Sequence, residues 1–180
     1  IRGFSYAYGT APPVPTPTLV LALPTGTQHG DYLLAAISGN YVTELTPPAG
    51  WTLEIEKHQS NITAITVYSH IYDATVDPAS WSWTSIQKTH GTIIAIRDYN
   101  FVKPVDLSSG SWGTYVTSVQ PGALTPSYAD DLAISLGQGT WNLPASDTLT
   151  GPGSPWTEDF NNAYPTGTVA LFLALEHQAL

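Results

Sequence analysis

Cysteine is absent, which excludes disulfides, thiolate metal sites and Cys nucleophiles and leaves the redox compartment open. Charge is scarce: 11% of residues are Asp, Glu, Lys or Arg, against roughly 25% in ordinary soluble domains. Lys plus Arg number 5 against 14 acids, a net charge of −9, so the basic footprint needed for nucleic acid or anionic lipid is lacking. No apolar run approaches the roughly 18 residues of a membrane span, and Ile1-Arg2-Gly3-Phe4 lacks a signal-peptide core. Long helix-forming stretches are missing as well, because 15 Gly and 15 Pro cut the chain into short apolar runs.

What is present suits one globular domain. The 180 residues are 42% hydrophobic and 11% aromatic, and a chain of this size removes about 70% of its unfolded surface from water. The polar surface comes from Thr, Ser, Asn and Gln. Short segments rich in β-branched and aromatic residues predict strands at 4–8, 18–23, 32–38, 51–57, 64–73, 80–84, 91–97, 115–119, 132–136, 156–160 and 168–177. In 64–72, alternation puts Ile65, Val67, Ser69 and Ile71 on a core face and Ala64, Thr66, Tyr68, His70 and Tyr72 on a wetter one. The expected fold is all-β: a two-layer antiparallel β-sandwich of about ten strands, jelly-roll-like, since a single open sheet would leave an apolar face bare. Residues 1–18 read as an N-terminal strand or arm with a Pro-rich stretch, and 19–180 as the single sandwich domain. Phe4, Tyr6 and Tyr8 alternate with Ser5 and Ala7, so this arm needs a surface to dock on, its own sandwich or an adjacent subunit.

An internal pseudo-repeat runs through the domain. The first copy has Gly30-Asp31-Tyr32-Leu33-Leu34-Ala35, then Pro47-Pro48-Ala49-Gly50-Trp51-Thr52, then Ala64-Ile65-Thr66-Val67-Tyr68. The second has Asp130-Asp131-Leu132-Ala133-Ile134, then Gly151-Pro152-Gly153-Ser154-Pro155-Trp156-Thr157, then Val169-Ala170-Leu171-Phe172-Leu173. In each, an acidic turn opens an apolar strand, a Pro/Gly turn leads into Trp-Thr, and another apolar strand follows. Trp51 and Trp156 are expected to cap the ends of the core, each indole N–H reaching a loop carbonyl.

These residues, with Asp77-Pro78-Ala79-Ser80-Trp81-Ser82-Trp83-Thr84 and Gly91-Thr92-Ile93-Ile94-Ala95-Ile96-Arg97, resemble a pattern of bacteriophage virion and tail proteins. The resemblance spans most of 30–177. It implies a jelly-roll or lectin-like β-sandwich with a structural or host-recognition role, and it identifies no catalytic residue.

Candidate binding residues follow from the aromatics. Trp81 and Trp83 share one face of a short strand: either both fill the core, or they form a ladder on which sugar rings stack. Tyr41, Trp112, Trp141 and Tyr164 sit among Gly, Ser and Asn and are candidates for exposed glycan contact or for packing over loops. Glu54 and Glu56 lie on one face of a regular strand, about 6 to 8 Å apart, a separation used in glycoside hydrolysis. The His residues at 29, 58, 70, 90 and 177 lack metal-ligand spacing, and neither a Gly-x-Ser-x-Gly elbow nor a phosphate loop occurs. The expectation is a non-enzymatic virion protein without cofactor or metal: a tail-fibre, spike or capsid-decorating module at the particle surface, assembled in the bacterial cytoplasm. Its expected partners are copies of itself (a trimer in a fibre or spike), other virion proteins and host surface polysaccharide, with no nucleic acid and no membrane insertion. The alternative is a standalone carbohydrate-binding module or, ranked below it, a glycan-degrading enzyme.

Overall fold

The computed structural model describes residues 1–9, 18–40, 45–59, 63–84, 89–97, 99, 105, 125, 132–141, 157–165 and 170–179, the last two segments as backbone. They form antiparallel β-strands with no helix among them, an all-β architecture of the β-sandwich kind. One sheet has the order β1-β7-β3-β5-β4, built from β1 (Gly3–Tyr8), β3 (Tyr32–Asn40), β4 (Thr52–Gln59), β5 (Thr63–Ile71) and β7 (Thr89–Ile96). A two-stranded ladder pairs β2 (Thr18–Ala22) with β6 (Ser80–Thr84). A further sheet has the order β8-β10-β9, from β8 (Leu132–Trp141), β9 (Thr157–Pro165) and β10 (Ala170–Ala179). The expected strand at 115–119 and the Pro-rich residues 12–17 lie outside the described residues.

Both faces of the five-stranded sheet are covered. On the first, Leu19, Leu21, Trp81 and Trp83 of the β2-β6 ladder pack on Leu33, Ala35, Ile37, Tyr68, Ile93 and Ala95. Strand β6 shows why: its exposed–buried alternation sends both indoles inward and the Ser and Thr side chains outward. On the second face Tyr32, Leu34, Ala36, Val67 and Ile94 are buried, with Tyr6, Ile55, Tyr99, Val105 and Ile134 packed against them. The wetter face expected for β5 is buried at Ala64, Thr66 and Tyr68, because the β2-β6 ladder packs over that side of the sheet, and only His70 and Tyr72 stay half-buried. Each fully buried large apolar side chain contributes about 1.5–3 kcal/mol. Strand β7 starts earlier than expected, at Thr89, because Thr89 and His90 are polar yet buried and pair with Gly39 and Ser38.

Strand β1 docks on its own sheet. It runs antiparallel to β7 from Gly3↔Ala95 to Tyr8↔His90, with Ala7 against the first core and Tyr6 against the second.

Two three-stranded units share one connectivity, the first strand pairing with the third and the third with the second: β3-β5-β4 and β8-β10-β9. Their registers correspond. Tyr32↔Ile71 matches Leu132↔Ala179, Thr52↔Ser69 matches Thr157↔His177, and Ile55↔Val67 matches Phe160↔Leu175. Each unit has a bulge at the third residue after its Trp, skipping Glu54 in one and Asp159 in the other.

Candidate functional site

The Gly30-Asp31 turn is a structural hub. Gly30 takes a positive φ of 85°, and Asp31, 2% exposed, lies at the start of β3. Its Oδ2 accepts the Gln28 backbone N–H at 2.8 Å and pairs with Arg2 Nε at 2.9 Å, while Oδ1 lies 3.4 Å from Arg97 Nε. Arg97 also donates to the Gln28 side-chain carbonyl. One carboxylate thus ties the residue before β1 to the residue after β7, a role invisible in the turn geometry that the motif suggests.

The second motif, Gly50-Trp51-Thr52, builds a pocket of about 470 Å³ lined by Tyr32, Gly50, Thr52, Glu54, Ser69, His70 and Ile71. Gly50 has φ 88°, and its carbonyl lies 2.9 Å from His70 Nδ1. His70 Nε2 lies 2.7 Å from Asp77 Oδ2, which also accepts the Asp73 N–H at 2.6 Å. The imidazole stacks on Trp51 at a centroid distance of 5.3 Å, and Trp51 meets Trp81 and Trp83 edge-on at 5.4 and 5.1 Å. Trp51 caps one end of the core as expected, but its Nε1 is buried without an acceptor; His70, not the indole, takes the loop carbonyl.

Alternation from Thr52, opposite Ser69, carries Glu54 to the second face, and the bulge there separates it from Glu56. In a regular strand it would share a face with Glu56. The extra residue instead puts Leu53 opposite Tyr68 and Ile55 opposite Val67, so Glu56 lies opposite Thr66 on the first face. The Glu54 carboxylate turns to the second face, where Oε1 accepts Ser69 Oγ at 2.5 Å and Tyr32 OH at 3.3 Å. The expected carboxylate pair therefore does not form. Burial, reinforced by the Glu54 charge against the opposing Ser69 hydrogen bond, pushes the Tyr32 phenol up to about 12, so it stays neutral. The site thus offers one carboxylate with hydroxyl neighbours and, beside it, a histidine whose nitrogens both face oxygens. Among the described residues no three His, Asp or Glu side chains are grouped to hold a metal ion.

Of the aromatic candidates, Trp81 and Trp83 are 4% and 0% exposed and have no ring face to offer a sugar; the core alternative holds for both. Tyr41 and Trp112 lie outside the described residues. Trp141 closes β8 opposite Ala170, and Tyr164 pairs with Leu171 in β9. Sequence reasoning missed the pocket residues Tyr32, Thr52, Ser69 and His70; the repeated Trp-Thr-x-acid spacing was the available signal. In comparisons with known proteins, no family model matches the chain, and neither curated proteins nor solved structures give a significant match.

Proposed function

We propose that this chain is a non-enzymatic structural module of a bacteriophage virion, a tail-fibre, spike or capsid-decorating domain at the particle surface. It assembles with copies of itself or with a neighbouring virion protein. The observation that carries the reading is where the resemblance residues sit: Asp31 clamps the sheet ends, and Trp51, Trp81 and Trp83 form one buried cluster. The motif is a folding device, as a structural module requires, and such a scaffold leaves broad neutral surface because 11% of residues are charged. The matching registers of β3-β5-β4 and β8-β10-β9 support the finer reading, a jelly-roll-like sandwich with an internal pseudo-repeat. Light scattering of the purified chain at micromolar concentration tests it. Association into a defined oligomer, a trimer for a fibre or spike, is expected; a strict monomer with no self-contact in assembled particles overturns it.

A second reading, a free-standing carbohydrate-binding module, is favoured by the pocket at Glu54. Glycan binding lost in Trp112→Ala and Trp141→Ala variants would place such a site on the loops instead.

A further inference from the structure

We infer that the pocket around Glu54 binds one hydroxyl-rich ring, a saccharide unit, with Glu54 as its main acceptor. The inference deepens the carbohydrate-binding reading and is independent of assembly. The argument begins with which lone pairs are left over. Ser69 and Tyr32 both give their hydrogens to Glu54 Oε1, so neither hydroxyl has a hydrogen left for a ligand and both can only accept from one. Glu54 Oε2 makes no hydrogen bond within the described residues, and Thr52 is exposed at the rim. The pocket is therefore short of donors and asks for a ligand that brings several. An ammonium group would bring three donors, but all from one point. The acceptors here are spread over β3, β4 and β5, and about 470 Å³ falls within the roughly 300–1,000 Å³ range of small-ligand sites, far more than such a group fills. Adjacent ring hydroxyls match that spread, with the strongest bond an O–H to the carboxylate. Ile71, 49% exposed, adds an apolar wall for the C–H side of the ring. His70 contributes a ring edge, since its nitrogens already face Gly50 O and Asp77.

The bulge leaves Glu54 the one carboxylate of the site. Thr52 lies opposite Ser69, so alternation puts Glu54 on the second face, and the bulge turns Glu56 to the first. The second unit repeats the Thr-x-acid spacing at its own bulge in Thr157-Glu158-Asp159.

Trp51, stacked on His70 next to the pocket, is a built-in fluorescent reporter. The full chain is titrated with the methyl glycosides of glucose, galactose, mannose and N-acetylglucosamine at millimolar concentrations, and in parallel with n-butylammonium chloride. A saturable change with at least one glycoside is expected. It should weaken at least about tenfold in Glu54→Gln and about threefold in Thr52→Val, and persist in Val76→Ser, a change at a side chain 77% exposed. Unfolding of Glu54→Gln, seen by circular dichroism, leaves Thr52→Val to decide. No response to any glycoside, a response unchanged in the pocket variants, or saturation by n-butylammonium alone overturns the inference. Light scattering of the same samples keeps the two proposals apart: a chain that associates but ignores glycosides loses this site and keeps its assembly role.

Discussion

On one face of the five-stranded sheet Trp51, Trp81 and Trp83 meet edge-on among Leu19, Leu21 and Leu33. On the other, Ser38, His90 and Thr92 are fully buried alongside Leu34, Ala36 and Ile94. The first face holds mostly by shape and area, with the Tyr68 hydroxyl donating to the Leu45 carbonyl at 3.2 Å. The second holds part of its area through polar contacts: Tyr6 OH lies 3.1 Å from His90 Nδ1, and Thr92 Oγ1 donates to the Ser5 carbonyl at 2.5 Å. Both contacts reach β1, and on the first face Ser5 Oγ donates to the Ala22 carbonyl of β2, so the edge strand is held from both sides. The comparison teaches that one sheet can carry an aromatic core on one side and a partly polar core on the other and anchor the same edge strand to each.

The sharpest break comes on the aromatic face. Trp83→Ala removes a fully buried indole and should cost about 3–5 kcal/mol, read as a lowered urea midpoint. Where the two faces meet, Asp31→Asn should cost about 2–3 kcal/mol, below the full buried-pair penalty because Arg2 and Arg97 are 21% and 45% exposed and regain water. Arg97→Gln should cost less than Arg2→Gln in the same assay, since its pair is longer and more exposed; the reverse order would shift the clamp to the β7 end.

The polar face should reveal itself through pH. Burial holds the His90 imidazole down at about 3, well below its ordinary 6.5. Between those values the unfolded chain binds a proton that the native chain refuses, so the contribution is full above about pH 6.5 and is lost as pH falls. Stability should drop by about 2 kcal/mol between pH 7 and pH 5 from this group, and His90→Gln should flatten that part of the profile in paired urea titrations. The smallest expected effect is that of Tyr6→Phe, about 1 kcal/mol, with faster amide exchange confined to β1 and β7.

Most strands were legible because alternation and Gly/Pro turns are local signals. The segment 80–84 was found with its observed ends, yet period two could place Trp81 and Trp83 on one face without saying whether that face was covered; that depended on β2 and β3. The all-β class was visible for the same reason. The separation of Glu54 from Glu56 was not, because a bulge is a register event between two strands and leaves no mark on either alone. Asp31 read as a turn former because its Arg partners lie at residues 2 and 97, at the far ends of other strands. His90 fell just outside the expected strand 91–97 because a polar side chain in a fully buried strand runs against the average.

The partner of β1 is made late. Gly3 pairs with Ala95, so on the ribosome an uncharged strand carrying Phe4, Tyr6 and Tyr8 emerges long before β7 exists to receive it. Until then its aromatic side is available to any unpaired edge nearby, including the same strand on a neighbouring nascent chain. The four prolines at 12, 13, 15 and 17 follow directly behind it and interrupt further strand growth. Slow translation across residues 10–90 would lengthen this unprotected interval, and the yield of soluble chain should respond to synthesis rate more than its equilibrium stability suggests.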